Sequence, residues 1–284
     1  MIVVGVDGSR AGLEAAGWAA SEAALRGVML KVVHAMPGWA LETPERGQYG
    51  GVARWMRENA HVVLAAGVDR ARREAPEVDV KFEPLPGDPR PALVRCAADA
   101  ELLVVGSHGL GGFRGLLLGS VAQGVAGHAP CDVVVVREVR PPRSEVVVGV
   151  DGSPAGDKAV GFAFAEAALR GVPLRAVHAW SSLDLRDGFM PLPIDGEVEK
   201  GDVRLLDKTL SGWIDRYPGI EVVQEVVHGH PADVLRHASQ DAALLVIGSH
   251  GYGQLAGMLL GSVSQAVLHH AYCPVAVVRT RTSG

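Results

Sequence analysis

The chain repeats itself. Residues 2–9, IVVGVDGS, return at 146–153 as VVVGVDGS, and EAALRGV at 22–28 returns unchanged at 166–172. GSHG at 106–109 returns at 248–251, LLGS at 117–120 at 259–262, and HAPCDVVVVR at 128–137 pairs with HAYCPVAVVR at 270–279. The offset is 144 residues early and 142 later, so the copies differ by two residues between the second and third strands. A repeat this long is a duplicated domain, since solenoid units run to only about 20–45 residues. Two domains follow, 1–138 and 145–284. The stretch EVRPPRSE at 138–145, with two prolines and alternating charges, reads as the linker. Half of 284 residues can bury roughly two-thirds of its unfolded surface, so each copy is long enough for its own core.

Within each copy, short apolar runs alternate with helical patterns. In the first, strands are predicted at 2–6, 29–35, 78–84, 102–106 and 132–137. Helices are predicted at 10–26, at about 53–75, from Pro89 to about residue 100, and from Ser120. Proline suits a first helical turn because its missing N–H has no intrahelical partner there. The strands read as continuous apolar runs, as burial on both faces requires. The fold class is therefore α/β: two tandem open parallel five-stranded sheets with helices on both faces, Rossmann-like in layout. Aromatics make up only 5% of the chain, so the core must be aliphatic.

Charge and cysteine content narrow the function. Net charge is −5, no Lys/Arg cluster could follow a phosphodiester backbone, and nucleic acid is not an expected partner. Cys96, Cys131 and Cys273 form an odd set without CxxC spacing; buried reduced thiols are expected rather than a disulfide framework or zinc site. The N-terminus MIVVGVDGS enters a strand without a basic leader, and no apolar run approaches the roughly 20 residues of a membrane helix. A soluble cytoplasmic protein with no membrane partner is the expectation.

In open α/β sheets, ligands bind at the carboxyl ends of strands where the strand order reverses. Three segments of each half fall at such ends: Asp7-Gly8-Ser9, His34-Ala35 and the loop from Gly106 to Ser120, then Asp151-Gly152-Ser153, His178-Ala179 and Gly248 to Ser262. They line one crevice if the first and fourth strands are neighbours and the second lies beyond the first. The loops share Gly-x2-Gly-x9-Gly-Ser, through Gly106, Gly109, Gly119, Ser120 and Gly248, Gly251, Gly261, Ser262. Glycines let backbone amides approach a ligand, and a helix starting at the serine would turn its free amides toward an anion. The plainer alternative gives these glycines only turns and tight packing, with the serine an ordinary N-cap. A P-loop is excluded, since none of Lys31, Lys81, Lys158, Lys200 and Lys208 stands in a Gly-rich loop. The run Gly251 to Ala256 matches GxGxxA by letter, but it follows the fourth strand, not the first.

These residues resemble the universal stress protein family in its tandem-domain, ATP-binding form. The likeness spans nearly the whole chain outside the linker and the variable regions at about 37–52 and 181–200. It implies ATP, with Mg²⁺, as the cofactor, phosphates and ribose held by the Gly-x2-Gly-x9-Gly-Ser loop. It further implies that Asp7 and Asp151 stand near the adenosine and metal end. Ala35 and Ala179 would meet the adenine edge, and Ser120, Val121, Ser262 and Val263 the phosphates. Ser264 matches a second family hydroxyl that the first half replaces with Ala122, which implies a weaker first site or a different metal geometry. The family's last strand commonly pairs domains, placing 132–137 and 274–279 at an interface, and a homodimer is implied.

Catalysis is not expected. Hydrolysis needs a charge clamp at the γ-phosphate, and the loops offer only Arg114, replaced by Ala256 in the second half. Ser107-His108 and Ser249-His250 are sequence neighbours whose side chains are expected to diverge. Asp7 and Asp151 suit an Asx-turn as well as a site, and His34 and His178 suit plain strand ends. His108 and His250 lie inside the loop, where either could approach a phosphate. His228, His230 and His237 have no counterpart at 86–89, so a solvated cluster is expected rather than a metal site. The favoured reading is an ATP-binding, nucleotide-dependent regulator of a stress response. The alternatives are a slow ATPase or adenylyl-processing enzyme, and a dimerisation scaffold with vestigial pockets.

Overall fold

A computed structural model of the chain describes residues 1–109, 118–137, 144–181, 197–251 and 260–279. It divides into two compact units, Met1–Val139 and Arg140–Thr280. Most of the linker, 138–143, and the loop interiors 110–117 and 252–259, with Arg114 and Ala256, lie outside the described residues.

In the first unit the strands are β1 (Ile2–Gly5), β2 (Leu30–Met36), β3 (Val80–Pro86), β4 (Leu102–Gly106) and β5 (Asp132–Val136). Its helices are α1 (Arg10–Arg26), α2 (Gly38–Glu42), α3 (Gly50–Glu74), α4 (Pro89–Cys96) and α5 (Ser120–His128). All pairings are parallel, in the order β3-β2-β1-β4-β5. Helices α1 and α3 pack together on the sheet, and α4 and α5 form a second pair.

The second unit repeats the plan with β6 (Glu145–Gly149), β7 (Leu174–Trp180), β8 (Val222–His228), β9 (Ala242–Gly248) and β10 (Val275–Val278). Its helices are α6 (Pro154–Arg170), α7 (Glu197–Arg216), α8 (Pro231–Ala238) and α9 (Ser262–His270). The parallel order is β8-β7-β6-β9-β10. In both units the first and fourth strands of the copy are neighbours and the second lies beyond the first, the arrangement that brings the three motif segments to one edge of the sheet.

The central strands are aliphatic and closed to solvent: Ile2, Val3, Val4, Leu102, Leu103 and Val104 have no exposed surface, nor do Val146, Val147 and Val148. The uniform apolar pattern expected of all strands fails at the edges. Strand β3, VKFEPLP, and strand β8, VVQEVVH, carry polar residues and are largely open to solvent, whereas β5 and β10, at the other end of each order, are buried. Helix α4 stops at Cys96, short of residue 100, where Ala97 caps it. The short α2 was not expected, since GWALE carries no side-chain cap and its start follows Pro37. Cys131 and Cys273 are buried as expected, but Cys96 is only half-buried.

Helix starts follow local chemistry. The Ser9 hydroxyl accepts from the Gly12 amide at 3.1 Å and caps α1, and Ser153 does the same for Gly156 at 3.0 Å in α6. A serine oxygen at this position takes up one of the four amides a helix leaves unpaired at its start. Among the described residues no helix is long and apolar enough to cross a membrane.

Candidate nucleotide site

Each unit carries a cleft at the carboxyl ends of its strands. The first, of about 620 Å³, gathers every first-half candidate: Asp7, Ala35, Gly106, Gly109, Gly119, Ser120 and Val121. The second, of about 290 Å³, gathers Asp151, Ala179, Gly248, Gly251, Gly261, Ser262, Val263 and Ser264. Segments far apart in sequence meet there because β1 lies between β2 and β4, and β6 between β7 and β9.

The aspartates are held by the turns that follow them. Gly8 (φ +83°) and Gly152 (φ +74°) adopt a backbone conformation that side chains resist, and this reverses the chain between strand and helix. Asp7 Oδ1 accepts from the Ser9 amide at 3.0 Å and the Ser9 hydroxyl at 2.5 Å; Asp151 Oδ1 accepts the matching pair from Ser153 at 2.9 and 2.8 Å. This is the Asx-turn, and it uses one carboxylate oxygen. The other faces the glycine loop: a Cβ at Gly109 would stand 2.6 Å from Asp7 Oδ2, and one at Gly251 2.5 Å from Asp151 Oδ2. Only glycine lets the loop lie this close to the carboxylate.

The loop closes on itself before the helix. The Gly119 amide donates to the Ser107 carbonyl at 2.7 Å, and Gly261 to Ser249 at 2.8 Å. Gly119 and Gly261 are themselves the N-caps of α5 and α9, with no side-chain cap bond, and Ser120 and Ser262 are the first helical residues. The serine is thus not the N-cap that the plainer reading supposed. A helix start capped by glycine leaves its first amides without a side-chain acceptor, and these amides border the cleft. Ser264 also borders it, but its hydroxyl donates to the Gly248 carbonyl at 2.7 Å. Its replacement by Ala122 therefore removes an internal tie as well as a hydroxyl.

The histidines depart from expectation. His34 and His178 do more than end their strands. Each donates from Nδ1 to the carbonyl of the residue before the aspartate, Val6 at 2.8 Å and Val150 at 2.7 Å; a carbonyl can only accept, which fixes the ring tautomer. His178 Nε2 lies 3.4 Å from Asp202 Oδ1. The expectation that Ser107 and His108 diverge is overturned: Ser107 Oγ and His108 Nδ1 are 2.8 Å apart, and Ser249 and His250 3.2 Å. The rotamers turn both side chains to one side of the loop start. Both serines are buried, at 3% and 2% exposure. His228 packs edge-on against Trp180 at 4.4 Å, and His237 Nε2 lies 3.1 Å from an Arg236 guanidinium nitrogen.

Sequence reasoning missed the apolar walls. Val33, Leu93 and Val105 line the first cleft, and Val177, Leu235 and Ile247 the second. Their recurrence at the repeat offset was the available signal. No Lys or Arg lines either cleft among the described residues.

The universal stress protein family profile matches twice, at residues 1–137 and 143–279. The chain belongs to the universal stress protein family. Its similarity to curated members runs end to end. It is 38% identical over 286 residues to universal stress protein Rv2005c of Mycobacterium tuberculosis, covering 98% of this chain and 96% of that one. It is 39% identical over 302 residues to Rv1996 of the same species, covering 98% and 94%. Among solved structures, a universal stress protein from Archaeoglobus fulgidus shares the fold, with a TM-score of 0.73 at 22% identity over 99% of this chain and 98% of that one.

Proposed function

We propose that the protein is an ATP-binding regulator of a stress response, each half taking one adenine nucleotide with Mg²⁺ and neither turning it over at a useful rate. The observation that carries this reading is the same in both halves: a glycine-capped helix start and a glycine loop pressed against an aspartate, opening on one cleft. The helix amides and macrodipole suit a phosphate, and the glycines remove the side chains that would fill its place. The apolar walls beyond Ala35 and Ala179 suit a planar base. Mg²⁺ is commonly held by one or two carboxylates plus phosphate oxygens, and each cleft offers one carboxylate, Asp7 or Asp151.

The described cleft walls support binding without turnover. A γ-phosphoryl transition state needs a cationic clamp, and the described walls carry none. Occupancy then acts by favouring one conformational state over another, which a partner reads.

Calorimetric titration of the nucleotide-stripped protein with Mg-ATP is the test. Saturable binding at about two sites per chain is the expected result for two anion-binding helix starts. No binding by a protein whose circular dichroism is intact overturns the reading and leaves a scaffold with vestigial pockets. Phosphate release well above that of a Gly119→Val, Gly261→Val double variant replaces the regulator with a slow ATPase.

A further inference from the structure

The two units differ at the free edge of the sheet. In a parallel ladder, alternate residues turn both their amide and carbonyl toward the neighbouring strand, and the residues between turn theirs away. The Leu174 amide donates to the Glu221 carbonyl at 2.9 Å and the Gly229 amide to the Trp180 carbonyl at 2.8 Å. With the register Leu174↔Val222 to Trp180↔His228, this turns the backbone groups of Val222, Gln224, Val226 and His228 away from β7. In the first unit, the Leu30 amide bonds the Asp79 carbonyl and Gly87 bonds the Met36 carbonyl, so the outward residues of β3 are Val80, Phe82, Pro84 and Pro86.

Two of those four have no amide to offer. Proline at an outward position blocks a further strand, a common means of protecting an edge. Strand β8 lacks this protection: Val226 and His228 stand where the repeat offset would put Pro84 and Pro86. Its outward row has four donors and four acceptors, and its one charged residue, Glu225, is an inward one, held by Arg175 at 3.4 Å. Gln224 and His228 are exposed.

We infer that β8 pairs with β8 of a second copy of this chain, antiparallel across a two-fold axis. The row is self-complementary, so the same edge supplies both sides, as an isologous contact requires. Charge excludes one register. Full overlap would set Glu225 directly opposite the partner's Glu225, and like charges facing across strands destabilise the pair. A slip of one pair puts Gln224 opposite the partner's Gln224 and Val222 opposite the partner's Val226, with Glu225 opposite the partner's Val223. The slip the other way sets Val226 on the axis and Gln224 opposite the partner's His228, and variants at Gln224 distinguish the two.

Sedimentation of the full chain across a wide concentration range tests this. The unaltered protein is expected to form a reversible dimer. Gln224→Lys alone and Gln224→Glu alone each set like charges on the axis, and each should weaken the dimer at least about tenfold. An equimolar mixture of the two variants should restore it, an outcome misfolding cannot imitate. Val226→Pro with His228→Pro, which copies the first-half edge without removing a ladder bond to β7, should give monomer with unchanged circular dichroism. A monomer at every concentration overturns the inference, as does a dimer unaffected by all of these changes. A dimer lost in the Lys and Glu variants but not restored by mixing overturns the Gln224 register.

Discussion

At the scale of single residues, the aspartate and the loop glycine form one device. Replacing Gly109 or Gly251 with alanine would put a methyl group 2.6 or 2.5 Å from a carboxylate oxygen, well inside contact distance. The carboxylate or the loop must move, at a cost of about 1–3 kcal/mol by analogy with overpacked cores. We expect Gly251→Ala to keep the fold and to weaken Mg-ATP binding in the second cleft by about tenfold or more, since 1.4 kcal/mol is a factor of ten. Calorimetry would show it as the loss of one class of sites. Away from the clefts, Lys31 Nζ lies 2.6 Å from Glu83, with Cys96 beside the pair. Burial, aided by Glu83, pushes the Cys96 thiol above its usual value, while Lys31 opposes the shift. Its thiolate fraction near neutral pH is therefore low, and alkylation should be slow. Glu83→Gln should speed it and Lys31→Met slow it, as rates of thiol labelling against pH would show. The Lys31 ammonium is itself held above its ordinary value, mainly by its hydrogen bond to Glu83. That contribution to stability is complete below the usual lysine range and is lost as pH rises through the raised value; Glu83→Gln should flatten this alkaline limb.

At the scale of elements, the helices after the first and the fourth strand of each copy start differently. Helices α1 and α6 begin with a serine that satisfies an amide, and α5 and α9 begin with a glycine that satisfies none. The first kind stabilises and the second leaves amides available to a ligand. Ser9→Ala or Ser153→Ala should each cost about 1 kcal/mol in denaturant unfolding, the usual value of an N-cap. The pattern of the interior elements was legible because each has a local cause: continuous valine and leucine for buried strands, and Pro89 for the first turn of α4. The edge strands were read as uniformly apolar although Lys81, Glu83, Pro84 and Pro86 in β3, and Gln224 and Glu225 in β8, break that pattern as an edge allows. Helix α2 escaped notice because five residues without a cap carry no periodicity.

At the scale of the whole molecule, duplication gives two clefts of one design and unequal size, 620 and 290 Å³. The second has bulkier walls, with Ile247 where the first has Val105 and Ser264 where it has Ala122. If both clefts fill, ligand adds to stability through each unit. Saturating Mg-ATP at about 100 times its dissociation constant should stabilise a binding unit by about 2.7 kcal/mol. Thermal unfolding with and without Mg-ATP would show the shift in both units of the unaltered protein and in one unit of Gly251→Ala.

The sequence by itself determined the duplication, the α/β class, the segments that line each cleft and the glycines at its loop. Those depend on periodicity, on turn chemistry and on the absence of side chains, all local properties of the chain. Tertiary structure alone decided that Ser107 and His108 turn toward each other, that His34 and His178 tie the strand ends to the carbonyls of Val6 and Val150, and that Asp7 presents one oxygen to its own turn and the other to Gly109. It also decided which amides of β3 and β8 face outward, because that is set by the ladder register with a strand some fifty residues away in the chain. Distances between groups remote in sequence are fixed by packing, and no spacing within the chain encodes them.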